Sequence, residues 1–207
     1  STAGPSAAYL TAKRLLDITV ALTALVVLSP LFLIVALCVK LTDGGPVFFR
    51  QKRVGLNGMV FDFFKFRSMC VDAEARKAEL LRLNKHGNSI TFKMLRDPRV
   101  TWVGRILRKT SIDEAPQLWN VLIGEMTLVG PRPAVVAEVQ RYTPRERRRL
   151  AVVPGLTCIW QVSGRADLDF QQQVELDCRY IRERSMWLDL KLMVLTIPAV
   201  LSGKGAY

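Results

Sequence analysis

The longest apolar stretch in this chain shows no periodicity. From 18 to 39 the sequence ITVALTALVVLSPLFLIVALCV carries no charge. Coiled as a helix, about 22 residues reach roughly 33 Å, enough for the core of a bilayer. Ser29 and Pro30 interrupt it near the middle. Proline removes a backbone donor and clashes with the preceding turn, so the pattern predicts a break there. Lys13 and Arg14 flank one end, and Lys40, Arg50, Lys52 and Arg53 the other, which leaves the positive-inside rule without a direction. A helix–break–helix hairpin over 13–42 that dips into a membrane and returns to the same side satisfies both features. A straight span and a buried core helix are the alternatives. A cleaved signal peptide is disfavoured, because no small-residue cleavage site follows. Residues 1–12, with the opening STAGPS, read as a linker or an appended remnant.

Later segments have shorter rhythms. After the DGGP turn at 43–46, apolar and aromatic runs flank Asn57-Gly58, a dipeptide that favours a type I′ hairpin turn. This predicts strands over 47–53 and 60–66. Helical spacing predicts helices over 71–83, 103–108, 117–123, 135–142 and 170–184, with a loop at 85–89 and a turn at Asp97-Pro98. Gly130-Pro131-Arg132-Pro133 must be a rigid loop. The run 156–162 reads as a strand, and 187–201 as an apolar helix broken at Pro198. Helices dominate and a small sheet accompanies them. The class is α+β, with a catalytic domain over 43–207, a β-hairpin, interfacial amphipathic helices and the N-terminal re-entrant membrane hairpin.

Composition narrows the partners. The net charge is +12 and the pI about 10, which calls for an anionic partner: nucleic acid, a phospholipid surface or a phosphorylated substrate. No nucleic-acid signature is present, and a membrane segment makes that class the weakest of the three. The cysteines, Cys38, Cys70, Cys158 and Cys178, form no CxxC pair, and His86 is the only histidine. A zinc site is disfavoured, and the usage fits a reducing compartment. The PRERRR run at 144–149 reads as a basic patch against lipid headgroups.

The candidate chemistry lies in TSIDEAPQLWNVLIGEMTLVGPRP at 110–133. Ser111 and Glu114 match a capping box, and acids suit the first turn of a helix. Asp113 and Glu114 are adjacent, so on a helix they do not face the same way. They are better suited to divided labour, one attacking and one holding a metal. Basic residues surround them in the sequence: Lys65 and Arg67 in FKFRSM, Arg108, Arg132 between two prolines, and Arg165 in SGR. Guanidinium forks match phosphate oxygens, and acids, cations and a divalent ion together make a phosphoryl-transfer set. Mg²⁺ is the expected ion. A non-catalytic module that binds anionic lipid or an assembly partner is the competing reading.

KRLLD, the apolar run with Ser-Pro, DGGPVFFRQKRVG, KFRSM, the block from DPRVTWVGRILRKTSIDEAP to LVGPRP, and PGLTCIWQVSGR together resemble the bacterial sugar transferases. These are monotopic polyprenyl-phosphate phosphoglycosyl transferases, and the likeness runs from about residue 13 to the end. It resembles the catalytic part of the exopolysaccharide-initiating members, or a small member. The resemblance implies transfer of a hexose-1-phosphate from a UDP-sugar to undecaprenyl phosphate, with UMP released. It also implies a location at the cytoplasmic face of the bacterial inner membrane, and it allows a homodimer. Asp113 falls on the family's nucleophile and Glu114 on its partner in holding Mg²⁺, with Ser29 and Pro30 on the membrane break. Lys65, Arg108, Arg132, Arg165 and Asp177 fall on positions near the site. Ala115 departs from the larger apolar residue common after the acid pair.

Overall fold

The computed structural model describes residues 5–73, 75–76, 97–164 and 168–202. Its first element is a single helix, α1 (Ala7–Asp43). The Ser6 hydroxyl caps the start by accepting from the Tyr9 N–H at 3.2 Å. Gly44, at φ 71°, ends the helix in a left-handed turn that favours glycine. The helix therefore begins inside the stretch read from sequence as a linker. The expected break is also absent. Pro30 cannot donate to the Val26 carbonyl, and Ser29 Oγ donates there instead at 2.8 Å. The Ser-Pro pair substitutes one hydrogen bond and leaves α1 continuous.

Both ends of α1 are fastened to the rest of the chain. Near its start, Arg14 donates to the Val121 and Leu122 carbonyls at 2.7 Å each. Asp17 accepts from the Thr127 hydroxyl at 2.7 Å and the Leu128 N–H at 2.9 Å. At its far end Arg67 pairs with Asp43 and also reaches the Val39 carbonyl at 3.5 Å.

Strands β1 (Phe48–Val54) and β2 (Val60–Phe66) form the expected antiparallel hairpin. Asn57 and Gly58, at φ 54° and 84°, supply the two positive dihedrals of the turn. Helix α2 (Trp102–Lys109) follows, then a short 3₁₀ turn (Ile112–Glu114) and helix α3 (Gln117–Ile123). The remaining elements are β3 (Thr127–Val129), β4 (Ala134–Val135), α4 (Val136–Val139), α5 (Pro144–Arg147), β5 (Gly155–Thr157), α6 (Ile159–Ser163), α7 (Phe170–Glu183) and α8 (Met186–Ser202). One sheet has the order β2-β1-β4, and β3 pairs with β5 in parallel. The α+β class holds.

Three sequence expectations change. The apolar run at 156–162 is a short strand followed by α6, because a fully apolar run does not separate a strand from a buried helix. Helix 135–142 shrinks to the single turn α4, and α8 continues through Pro198. The expected helix 71–83 lies mostly, and the loop at 85–89 wholly, outside the described residues.

Two apolar clusters hold the body together. Ala21 of α1, Phe61 and Phe63 of β2, Val121, Met126, Tyr180 and Leu192 belong to the larger one. Val35 and Val39 of α1 join Phe66, Val103 and Leu107 in the smaller. The inner face of α1 thus serves both clusters. Its other face leaves Leu22, Val26, Val27, Leu33, Ile34 and Leu37 exposed. Trp102 on α2, Trp119 on α3 and Trp187 on α8 are exposed too.

Candidate active site

The site is built where β2, α2, the 3₁₀ turn and the loop after β3 meet. Gly104 lets α2 touch the end of β2, since a Cβ there would lie 1.9 Å from the Ser68 carbonyl oxygen. That contact brings Arg108 Nε to Ser68 Oγ at 2.9 Å. The loop carrying Arg132 depends on a second close approach. A Cβ on Gly155 would lie 2.0 Å from the Gly130 nitrogen, so the backbones cross with Gly130 N–H on the Thr157 carbonyl and Gly155 N–H on the Pro131 carbonyl. Arg132 therefore projects from a braced loop.

Ser111 does not cap a helix. It adopts φ 57°, a left-handed conformation costly for a residue with a Cβ, and its hydroxyl makes no capping bond. The Glu114 carboxylate turns away from it. Glu114 Oε1 accepts from Lys65 Nζ at 2.7 Å and from Arg132 Nη2 at 2.5 Å, and Oε2 accepts from Arg132 Nη1 at 3.2 Å. The capping-box reading gives way to a forked ion pair that fixes two cations.

Asp113 is the opposite case. It is 6 % exposed, yet no donor reaches its carboxylate among the described residues. Burial pushes its pKa up to about 6; Lys65 opposes that rise and the Glu114 charge adds to it. Burial alone would raise Glu114 as well, but Arg132 and Lys65 hold its pKa well below the usual carboxylate range. At neutral pH both are ionised. One is saturated with hydrogen bonds, while the other is free and stands among the charges of Lys65, Arg108 and Arg132. A free carboxylate in such a place can attack phosphorus or ligate a cation. For Mg²⁺, Asp113 fits with its unbonded oxygens. Glu114 fits only by exchanging a bond to Lys65 or Arg132.

The structure thus gathers Asp113, Glu114, Lys65, Arg108 and Arg132. Arg67 is not in this group. It is 7 % exposed and clamps the end of α1 through Asp43, so the substrate role expected of it is replaced by a structural one. Asp177 is 1 % exposed and pairs with Arg149. It faces no open surface, and any influence on a substrate runs through its neighbours. Arg165 lies outside the described residues.

Two basic residues carry more than the sequence suggested. Arg149 is buried, donates to the Tyr142 hydroxyl at 3.2 Å and packs against Phe170. The headgroup-patch reading of PRERRR therefore fails at that position, while Arg145, Arg147 and Arg148 are exposed. Arg53 reaches the site from β1. The connection Leu56–Gly58 is one residue longer than a two-residue turn at Asn57-Gly58; it pairs Arg53 with Phe61 and puts it on one face with Phe63 and Lys65, where the shorter turn would have paired it with Asp62.

Residues 8–203 match the family model described as bacterial sugar transferase. The galactosyl transferase CpsE of Streptococcus agalactiae is 48 % identical over 199 residues, covering 96 % of this chain and 44 % of that protein. The exopolysaccharide production protein ExoY of Rhizobium meliloti is 43 % identical over 199 residues, covering 95 % of this chain and 88 % of its own. The undecaprenyl-phosphate galactose phosphotransferase of Salmonella typhimurium is 42 % identical over 199 residues, covering 94 % of this chain and 41 % of its own. The chain spans less than half of the streptococcal and Salmonella proteins. It belongs to the bacterial sugar transferase family.

Proposed function

We propose that the protein moves a hexose-1-phosphate from a UDP-sugar to undecaprenyl phosphate through a phosphosugar–aspartyl intermediate on Asp113, with release of UMP. The observation that carries this reading is the asymmetry of the two acids. Asp113 is buried, ionised and without a hydrogen bond among the described residues, while Glu114 is tied by Lys65 and Arg132.

In the first step an Asp113 oxygen attacks the sugar-bearing phosphorus. The bond from that phosphorus to the bridging oxygen breaks, and the electron pair leaves with UMP. In the second, a phosphate oxygen of the lipid attacks the same phosphorus and Asp113 returns as a carboxylate. Dividing the reaction means that the two anionic substrates never meet in one transition state. Glu114 holds Lys65 and Arg132 in place against the phosphoryl oxygens, and Arg108 adds charge from the Ser68 side. Mg²⁺, held by Asp113 and substrate phosphates, would supply further neutralisation of phosphoryl charge. The names of the relatives point to galactose or glucose as the hexose.

The same reading gives α1 its place. Both ends of the helix are bonded to one body, so they belong on one side of a membrane. The exposed apolar face between them lies against the lipid, with the unbroken helix running along the membrane rather than across it. On this reading the site sits at headgroup level, and the cytoplasmic face of the inner membrane is the side we propose for it, where a nucleotide-sugar would be met.

Purified protein incubated with UDP-galactose or UDP-glucose should show a hexose-phosphate adduct on Asp113 by mass spectrometry with one equivalent of UMP released, and continued UMP release on addition of undecaprenyl phosphate. The Asp113→Asn variant should show neither. Turnover by that variant would sink the nucleophile role, and a non-catalytic lipid-binding module would release no UMP at all.

A further inference from the structure

Of the cations near Glu114, Arg53 makes no hydrogen bond to either acid among the described residues. Its Nε donates to Gln51 Oε1 and its Nη1 to the Pro133 carbonyl, each at 3.0 Å. That carbonyl belongs to the residue after Arg132. The guanidinium carbon lies 5.0 Å from the centre of the Phe63 ring, and Lys65 Nζ lies 5.3 Å from the same centre. Arg53 and Lys65 thus share the Phe63 ring, and Arg53 also reaches the backbone beside Arg132. Glu114 takes Lys65 and Arg132. Glu138, whose charge also bears on Arg53, is turned to the Val135 N–H at 3.3 Å. Arg53 Nη2 finds no acceptor among the described residues. Burial pulls the Arg53 pKa down to about 10, and the like charge of Arg132 pulls it further in the same direction. A guanidinium held on the carbonyl next to Arg132, within reach of its charge and with a donor to spare, can take an anion.

We propose that Arg53 and Arg132 together bind a second phosphoryl group, the one that departs when Asp113 takes the first. This rests on the diphosphate donor proposed above. When the bond to the bridging oxygen breaks, that oxygen becomes a terminal oxygen of the leaving phosphate, whose charge grows by one. The spare N–H of Arg53 meets the new charge beside the positive charge of Arg132, whose fork stays on Glu114, and Gln51 and the Pro133 carbonyl hold Arg53 in plane to do so. Arg53 is then a binding residue for the leaving group, distinct from the cations that face the attacked phosphorus.

Calorimetric titration of the detergent-solubilised chain with pyrophosphate and with orthophosphate, in metal-free buffer, tests this without turnover. Pyrophosphate spans two positions and orthophosphate one. The wild type should prefer pyrophosphate by about tenfold or more, the worth of one charge-assisted pair. Arg53→Gln should bring the two affinities to within about twofold of each other, while orthophosphate affinity changes little. Arg53→Lys should also lose most of the preference, because an ammonium spent on the Pro133 carbonyl has no second planar donor. The ratio is read on a single preparation, so it does not depend on the folded fraction. A wild-type ratio retained in both variants overturns the proposal, as does an equal fall in both affinities. A wild type with no preference that still releases UMP overturns it and leaves the transfer reading standing. A preserved preference without UMP release would fell the transfer reading instead.

Discussion

Asp189 and Asp113 are both buried carboxylates, 1 % and 6 % exposed, and the chain treats them in opposite ways. Asp189 is saturated. Its Oδ1 accepts from the Tyr180 hydroxyl at 2.7 Å, and its Oδ2 accepts from the Tyr9 hydroxyl and Lys13 Nζ at 2.8 Å each. Lys13 reaches on to the Val129 carbonyl at 2.9 Å. This clasp ties α1 to β3, α7 and α8. Asp113 has no such bond among the described residues, and burial raises its pKa to about 6. A buried charge that is fully bonded holds a fold together, whereas one left unbonded costs stability and keeps its lone pairs for chemistry.

Asp113→Asn should divide activity from stability most sharply. Hexose-phosphate transfer should fall by a factor on the order of 10⁴ or more, the scale seen when a nucleophile is removed. The melting temperature should stay level or rise, because an amide has no charge to desolvate. Asp189→Asn is the mirror experiment. It keeps the shape but leaves Lys13 buried without a countercharge, and the free energy of unfolding should drop by about 3 kcal/mol. Denaturant titration in detergent reads this loss. A drop below about 1 kcal/mol would erase the distinction between the clasp and the site.

Much of this was legible before any coordinates. The hairpin followed from Asn57-Gly58, and α3 matched its expected bounds. The acids and three of their cations were visible as residue types next to a fixed loop. What escaped was burial. Arg149 reads as surface charge and Arg67 as a substrate ligand, because a guanidinium declares nothing of the partner it will meet far along the chain; Asp177 and Asp43 supply those partners. The capping box at Ser111 obeyed a local rule that tertiary ion pairs overrode, since Lys65 and Arg132 compete for Glu114 more strongly than one backbone N–H can. Pro30 predicts a break because its missing bond is visible in the sequence, while the Ser29 hydroxyl that replaces it takes effect only in the folded helix.

Asp177 stands between the two extremes, paired through one oxygen with Arg149 and raised to about 6 because burial outweighs that pairing. A carboxyl whose folded pKa is raised binds its proton more tightly folded than unfolded. Its contribution to stability is therefore full below about pH 4 and is lost as pH rises through about 6. Between pH 8 and pH 4 the wild type should gain, from this group, on the order of 2 kcal/mol that Asp177→Asn lacks. Denaturant titration of both proteins across that range gives the difference. Parallel profiles would place Asp177 with the saturated groups.

The smallest effect tests whether pairing or burial gives an ion pair its weight. Lys52 and Asp62 face each other across the hairpin at 2.9 Å, nearly the 2.8 Å of Lys13 and Asp189. The geometry is matched and the surroundings are not, for the hairpin pair is 63 % and 42 % exposed and the clasp pair 14 % and 1 %. Water screens the exposed charges and side-chain entropy offsets most of what remains, so a double-mutant cycle on Lys52→Ala and Asp62→Asn should give a coupling under about 0.5 kcal/mol. Raising salt to 1 M should remove even that. A coupling above about 1 kcal/mol would mean that contact distance sets the strength of these pairs. The weight of Asp189, and the cost of leaving Asp113 unpaired, would then both have to be explained without burial.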